Sequence, residues 1–210
     1  MTLKRRWKPL AALLALVLVA GLTTACNTSQ YAESGRQILP AASLSQYIGK
    51  AGVVIVDMQD AEAYATEHVQ GAVNITKDDI LINIPVQNML TSKNKLQKLL
   101  SDKGIANDTQ ILVYDDNRMN AARFFWTMLM YGNQNVQVVD GGLKAIRKAG
   151  ITLTSEVPAI TATEYVAGEK DGAWLASQAD VLAQVNEPDK NTILLDVRTD
   201  AEYQEKGKIP

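Results

Sequence analysis

The sequence predicts an α/β fold built around a doubly wound parallel sheet. Three short apolar runs suit buried parallel strands, namely Val53–Val56, Gln110–Tyr114 and Val136–Val139. Helical patterns separate these runs, and the clearest are the amphipathic Thr91–Lys103 and the heavily apolar Ala121–Tyr131. Strands that alternate with helices at this spacing are typical of a doubly wound sheet.

Shorter elements complete the first unit of the chain. The first is a short helix that Ser43 caps and that ends near Tyr47. A helical turn follows the first strand, with Ala61, Tyr64 and Ala65 on one face. The last two are a tight turn at Asp140–Gly142 and a helix over Leu143–Lys148. In the long amphipathic helix, Thr91 is the expected N-cap and Gly104 the expected terminator.

A stretch of the first unit returns near residue 200. In Gly52–Ile75 an apolar run leads to Asp57, and Tyr64 follows seven residues later. Near the end of the chain, an apolar run leads to Asp196, and Tyr203 follows at the same spacing. A repeat with so long a period indicates two copies of a domain rather than a solenoid.

The repeat divides the chain. We expect one complete unit over residues 39–150, a connector over residues 151–173, and the beginning of a second unit over residues 174–210, cut off within the repeated motif. In that second part, Ser177 is the expected cap of a helix and Ile193–Leu195 the expected strand. Because the strands and helices that would cover this part are missing, we expect it to be loosely packed.

The N-terminus predicts export and lipidation. A basic start (Lys4 to Lys8) precedes the apolar run Leu10–Leu22 and then small residues that end at Cys26. This order resembles a bacterial lipoprotein signal peptide over residues 1–25, which implies that Cys26 carries the lipid. Residues 26–38 would then form a tether. The protein is expected in the cell envelope, anchored in a membrane and facing the periplasm or the outside of the cell. The alternative is a conventional secretory peptide.

Composition narrows the possible ligands. With 21 basic and 23 acidic residues, the chain has a net charge of −2 and no basic patch that would attract nucleic acid. Cys26 is the only cysteine and His68 the only histidine, so the residues needed for a metal site are lacking. We expect neither a metal nor another cofactor.

Three features together resemble the rhodanese family of sulfurtransferases. The first is the motif VDMQD…Y…EHVQGAVNI, which contains Asp57, Tyr64, His68 and Gly71 and is similar to the family's LDVR…Y…GHIPGAxNI. The second is an apolar strand that runs into a six-residue loop and an apolar helix, and the third is VQVVDGG at Val136–Gly142. The resemblance implies the α/β fold and sulfur transfer through a Cys persulfide.

The loop is where the chain departs from active members of that family. It comprises Asp115, Asp116, Asn117, Arg118, Met119 and Asn120. In active rhodaneses it opens with a nucleophilic Cys in a cradle of backbone N–H groups, which favours a thiolate. Asp115 stands at the nucleophile position, and Asn120 stands at the position of the closing Arg. A carboxylate cannot accept a sulfane sulfur, so this unit resembles the catalytically silent N-terminal copy of tandem rhodaneses.

Several other residues have expected roles. Arg123 is expected to be a structural partner of an acidic group such as Asp57 or Asp115, with a substrate ligand as the alternative. Arg118 is by default a solvated side chain, although it could meet an anion or the neighbouring domain. His68 is expected to be a structural hydrogen bonder.

The second copy repeats the structural motif through Asp196, Arg198 and Tyr203. Some tandem members have an anion-binding Arg directly before the Tyr of this motif. This chain has Glu202 before Tyr203, so the resemblance does not imply an anion-binding residue at that position. The loop that would hold the nucleophile is expected beyond Pro210.

Two functions follow as hypotheses. In the first, the chain is part of a lipid-anchored tandem rhodanese that moves sulfane sulfur from thiosulfate or a similar anion to a thiophilic acceptor, and it is inactive by itself. In the second, it is a non-catalytic rhodanese-like module that binds an unknown protein partner or a small anion at the Asp115 loop.

Overall fold

The computed structural model of the protein describes residues 37–117 and 119–204. Its strands are β1 (Ile38–Leu39), β2 (Val53–Asp57), β3 (His68–Val69), β4 (Val73–Asn74), β5 (Leu81–Ile82), β6 (Met89–Leu90), β7 (Gln110–Tyr114), β8 (Val136–Val139) and β9 (Leu153–Thr154). The main sheet has five strands in the order β1-β8-β7-β2-β4, and all of its neighbouring strands are parallel. The predicted parallel α/β sheet is confirmed.

The α-helices lie between and after these strands. They are α1 (Ala61–Thr66), α2 (Lys93–Asp102), α3 (Met119–Met130), α4 (Gly142–Lys148), α5 (Gln178–Asn186) and α6 (Asp200–Gln204). Three short 3-10 helices cover Ala41–Gln46, Lys77–Ile80 and Gly172–Trp174. Within the part that the structure describes, no helix is both long enough and apolar enough to cross a membrane.

Side chains of β2 and β7 alternate between two hydrophobic cores, one on each face of the sheet. Val56, Ile111 and Val113 face the first core, which α2 and α3 cover. Ile55 and Leu112 face the second core, which α4 and the 3-10 helix at Ala41–Gln46 cover. Burying one such aliphatic side chain contributes about 1.5–3 kcal/mol. Because both faces are covered, the strands read as continuous apolar runs in the sequence.

Two helix starts differ from the prediction. Ser92, not Thr91, is the N-cap of α2, since the Ser92 side chain accepts a hydrogen bond from Lys95 N–H. Thr91 is instead buried, and its carbonyl oxygen accepts a hydrogen bond from the Tyr131 hydroxyl. Helix α3 begins at Met119, two residues before the predicted start. There the Asn117 side chain accepts a hydrogen bond from Met119 N–H, which stabilises the first turn.

The predicted connector is packed against the first unit. We call residues 155–171, which follow β9, the strap. The side chains of Tyr165 and Ala167 are buried in the first core. The backbone N–H of Tyr165 donates to Ser101 Oγ over 3.0 Å, and that of Ala167 donates to Gln97 Oε1 over 3.3 Å, so side chains of α2 hold the strap. The first unit therefore extends past residue 150 and includes the strap in its core.

Residues 174–204 make few contacts with the rest of the chain. Ser177 caps α5 as predicted, because its hydroxyl accepts a hydrogen bond from Asp180 N–H. The strand predicted at Ile193–Leu195 is wrong, since these residues form no strand and Ile193 is 85% exposed. A strand needs a hydrogen-bonded neighbour, and no described residue provides one. The expected loose packing of this segment agrees with these exposures.

Candidate functional site

Asp115 lies directly after β7, the central strand of the sheet. Its side chain is buried, and its carboxylate accepts a hydrogen bond from Ala121 N–H over 2.9 Å, within the first turn of α3. Its carbonyl oxygen accepts a hydrogen bond from Leu143 N–H over 2.8 Å, at the start of α4. The carboxylate thus ties the loop to the amino-terminal end of α3, where the helix dipole favours a negative charge.

Gly142 makes close approach to this loop possible. A Cβ atom on Gly142 would lie 2.4 Å from the Asp115 carbonyl oxygen, and the backbone φ of Gly142 is +56°. Both conditions require glycine, because an L side chain would clash and would also strain the backbone. The Gly-Gly turn of the predicted VQVVDGG motif therefore sets the position of the Asp115 loop.

Three of the other described loop residues face solvent. Asp116 and Asn117 are exposed, and Met119 is 75% exposed. Asn120 is half-buried, and its side chain makes a long hydrogen bond of 3.4 Å to the Met58 carbonyl oxygen. Arg118, the remaining residue predicted for this loop, lies outside the described residues. Cys26, the predicted lipidation site, also lies outside the described residues. The loop sequence itself contains no cysteine and therefore carries no thiol.

Asp57 is the centre of a buried hydrogen-bond network beside the loop. Its carboxylate accepts hydrogen bonds from the Tyr114 hydroxyl (2.5 Å), from Gln59 N–H (2.8 Å) and from Gln59 Nε2 (2.9 Å). The Tyr114 oxygen in turn accepts a hydrogen bond from Val69 N–H over 2.8 Å. Burial raises the pKa of Asp57, and the hydrogen bonds from Tyr114 and Gln59 partly oppose that rise. Burial also raises the pKa of Tyr114, and the neighbouring Asp57 raises it further.

Tyr64 and His68 pack together near this network. Their rings stack with centroids 3.9 Å apart, and the Tyr64 hydroxyl donates to the Ala72 carbonyl oxygen over 2.7 Å. Both ring nitrogens of His68 meet carbonyl oxygens, that of Tyr64 at 2.7 Å and that of Glu156 at 3.0 Å. Burial and the nearby Asp57 raise the pKa of Tyr64 to about 12. His68 therefore links the Tyr64 carbonyl oxygen to that of Glu156 in the strap.

Gly71 allows the chain to turn between β3 and β4, where its backbone φ is +77°. This conformation is easily adopted by glycine. The turn brings β4 alongside β2, with Asn74 opposite Asp57 in the register. The Asn74 side chain donates to the carbonyl oxygens of Asp57 and Gln59 over 3.0 and 2.9 Å, which fixes the backbone at the end of β2.

The expected partners of Arg123 were wrong. Among the described residues, its guanidinium donates to the Asn88 carbonyl oxygen and lies 5.4 Å from the ring centroid of Trp126, rather than pairing with an acidic group. Asp57 already accepts hydrogen bonds from neutral donors, and Arg123 lies on the face of α3 that meets the β5–β6 hairpin. Burial lowers the pKa of Arg123.

The second copy of the motif is present but lies on the surface. Arg198 donates to the Asp196 carboxylate through Nε and Nη2, and its guanidinium lies 6.0 Å from the ring centroid of Tyr203. Asp196 is exposed, and hydrogen bonds from Arg198 lower its pKa. Tyr203 is 66% exposed, whereas the corresponding Tyr64 is 6% exposed. The two copies therefore share residues but not environments.

Sequence reasoning missed Tyr114, Gln59 and Asn74 as members of the site. Tyr114 closes an apolar strand, so it reads as one more core residue. Gln59 and Asn74 are uncharged amides, and their role depends on the register between β2 and β4. Among the described residues, no cluster of three or more acidic, His or Cys side chains is placed to hold a metal ion.

Comparison with known proteins identifies the class. A family model described as Rhodanese-like domain matches residues 40–149, which is more than half of the chain. A Mycolicibacterium smegmatis protein named as a candidate thiosulfate sulfurtransferase is 35% identical over 153 residues, covering 72% of this chain and 52% of that protein. The "Sulfur carrier protein TtuD" of Thermus thermophilus is 32% identical over 157 residues, covering 74% of this chain and 54% of that protein.

Solved structures have the same fold. The 3-mercaptopyruvate sulfurtransferase SseA of Escherichia coli superposes with a TM-score of 0.67 at 21% identity, covering 81% of this chain and 68% of that chain. The 3-mercaptopyruvate sulfurtransferase of Leishmania major superposes with a TM-score of 0.56 at 23% identity, covering 64% of this chain and 41% of that chain.

The fold and the motifs around Asp57 and Asp115 define a rhodanese-like α/β domain. The chain belongs to the rhodanese family of sulfurtransferases. It spans about half the length of the curated relatives that it matches.

Proposed function

We propose that residues 37–171 form the catalytically silent unit of a lipid-anchored, extracytoplasmic tandem rhodanese. The observation that carries this proposal is the buried Asp115 carboxylate, which accepts a hydrogen bond from Ala121 N–H at the start of α3. The carboxylate occupies the place where an active member holds its nucleophile. In this unit the loop stabilises α3 instead of carrying sulfur.

The chemistry of the complete protein would take place in a second unit. A Cys thiolate attacks the sulfane sulfur of thiosulfate, the S–S bond breaks, and sulfite leaves with its electron pair. The resulting persulfide passes its outer sulfur to a thiophilic acceptor, which regenerates the thiolate. The repeated motif at Asp196–Tyr203 and the greater length of the relatives support a second unit of this kind.

The test compares this chain with any longer product whose reading frame runs beyond codon 210. Thiocyanate formed from thiosulfate and cyanide is measured for both proteins. We expect no turnover by the 210-residue chain, and turnover by a longer product that supplies a Cys-led loop. Turnover by the chain itself that Asp115→Asn abolishes would contradict the proposal, because a carboxylate would then be taking part in the reaction.

A second candidate function is the binding of a protein partner, and one surface favours it. Ile84 and Val86, at the tip of the β5–β6 hairpin, are 83% and 61% exposed. Arg123 of α3 donates a hydrogen bond to the Asn88 carbonyl oxygen of that hairpin, and Met119, one turn before Arg123 on α3, is also exposed. Exposed apolar clusters of this kind mark interaction sites.

Binding of a small anion by the Asp115 loop is disfavoured, because the negatively charged Asp115 carboxylate already lies at the amino-terminal end of α3. A stop directly after codon 210 would support the protein-binding module. Serine substitutions at Ile84 and Val86 would then weaken binding of the partner and leave the free energy of unfolding nearly unchanged, since both side chains are exposed.

A further inference from the structure

A polar pocket lies at the end of the sheet opposite the Asp115 loop. It is formed where Asn107, which precedes β7, and Asn135, which precedes β8, meet the strap at Val166. Its volume is about 410 Å³. Pockets for small molecules range from about 300 to 1,000 Å³. Since β7 rises about 3.3 Å per residue, this pocket and Asp115 lie roughly 17 Å apart.

The lining has an unusual chemistry. All the described residues that line the pocket are uncharged, and four of them are carboxamides: Asn107, Asn133, Gln134 and Asn135. Tyr131 and Tyr165 add two phenol rings. An anion would find no cationic side chain in this lining, a cation would find no carboxylate, and an apolar ligand would take water away from the carboxamides of Gln134 and Asn135 without replacing its hydrogen bonds.

Internal hydrogen bonds hold part of the lining in place. The buried Asn133 donates from Nδ2 to the Tyr165 hydroxyl oxygen over 3.1 Å, and its Oδ1 accepts from Asn135 N–H over 2.8 Å. Asn107 pairs with the backbone of Val166, since its Nδ2 donates to the Val166 carbonyl oxygen and its Oδ1 accepts from Val166 N–H. Such a prearranged lining lowers the entropy lost on binding.

Other polar groups stay available to a ligand. The side chains of Gln134 and Asn135 are exposed and make no hydrogen bond to another described residue. Each carboxamide offers both donors and acceptors, which is what a hydroxyl group needs because it donates and accepts at once. We propose that this pocket binds a neutral polyhydroxylated small molecule of the size of a monosaccharide, at a site independent of the Asp115 loop.

The test is a titration of the full chain, followed by NMR, with D-glucose and N-acetyl-D-glucosamine as probes and inorganic sulfate as the anion for comparison. We expect saturable shifts of the backbone amides of residues 133–135 with at least one of the two sugars. Combined Gln134→Ala and Asn135→Ala substitutions should weaken that binding about tenfold or more, since several hydrogen bonds are lost. Gln87→Ala removes an exposed carboxamide from the β5–β6 hairpin, so this control should bind as the unchanged protein does.

Three results would overturn the proposal. One is the absence of saturable binding of both sugars by a chain whose circular dichroism shows that it is folded. Another is an affinity that the double substitution leaves unchanged. The third is sulfate binding at residues 133–135 that displaces the sugar, which would make the pocket an anion site. None of these results depends on sulfur transfer.

Discussion

Two aspartates of the repeated motif show how the environment of a residue decides its properties. Asp57 is buried and accepts hydrogen bonds from the neutral donors Tyr114 and Gln59, and its pKa is raised. Asp196 is exposed and paired with Arg198, and its pKa is lowered. Burial by the surrounding unit raises the pKa of Asp57, whereas the residue two positions after each aspartate also differs, since Gln59 in the first copy is replaced by Arg198 in the second.

Asp57→Asn tests the buried carboxyl. The unfolded chain ionises this group near the ordinary value of 3.8, whereas the folded chain resists its ionisation. The wild-type protein therefore loses stability relative to Asp57→Asn as the pH rises from about 3.8 through the raised pKa of the folded state. Chemical unfolding of both proteins at several pH values between 3.5 and 8 measures this difference.

The difference in stability between the two proteins at the lowest pH serves as the control for this prediction. There the carboxyl is mostly protonated in both states, so the difference that remains between the two proteins reports mainly altered hydrogen bonds to Tyr114 and Gln59. A difference that does not change with pH over the whole range would mean that burial leaves the ionisation of Asp57 unaffected.

Gly142→Ala tests the contact that positions the loop. The new methyl group would meet the Asp115 carbonyl oxygen, and the residue would keep a positive φ. We expect destabilisation by about 3 kcal/mol, from the combined clash and backbone strain. Gly150→Ala is the matched control, because Gly150 has φ +73° but open space around it. It should cost about 1–2 kcal/mol. Equal losses in the two variants, measured by urea unfolding, would show that the close approach to Asp115 is unimportant.

At the scale of elements, the strap is the part that sequence patterns described least well. The strands β2, β7 and β8 were predictable because buried parallel strands give continuous apolar runs. The strap has no such pattern, since an extended segment that packs through single side chains such as Tyr165 shows no periodicity. A strand at Ile193–Leu195 was predicted from an equally good apolar run, but strand formation also requires a neighbour that the described chain does not provide.

The same limit applies to the candidate site. The position of Asp115 after β7 followed from the order of strand, loop and helix. The partners of Arg123 did not, because the β5–β6 hairpin that supplies the Asn88 carbonyl oxygen is remote in sequence and has only two residues in each strand. Long-range contacts between irregular segments leave little trace in local patterns.

Tyr165→Ala tests whether the strap belongs to the core. Tyr165 is 1% exposed in the first core, so its truncation should cost about 3–5 kcal/mol. Val166→Ala is the adjacent control, and it should cost under about 0.5 kcal/mol because Val166 is 55% exposed. Urea unfolding followed by circular dichroism measures both values. Similar small losses in the two variants would mean that the strap is only loosely attached.

At the scale of the whole molecule, the two parts of the chain should differ in protection from hydrogen exchange. The backbone amides of the main sheet lie between two covered faces and should exchange slowly. Those of residues 174–204 should exchange within seconds to minutes, since the apolar residues from Ile193 to Val197 are mostly exposed. Hydrogen exchange followed by mass spectrometry tests this, and uniformly strong protection of residues 174–204 would contradict it.

The proposed lipid anchor makes a prediction about location. Cys26→Ala should abolish incorporation of labelled palmitate and move the protein from the membrane fraction to the soluble fraction of the cell envelope, because acyl chains supply the attachment. Cys26→Ser is a second variant that keeps the size of the side chain. Palmitate labelling that persists in both variants would show that Cys26 is not the residue that carries the lipid.

The strap also affects how this protein can be divided. A fragment that ends at residue 149, where the family match stops, would lose Tyr165 and Ala167 and leave an apolar trough along α2 and α3 open to water. Such a fragment should aggregate, whereas one that continues to residue 171 keeps the trough filled. The shortest fragment that keeps its core covered is thus longer than the residues that the family model matches.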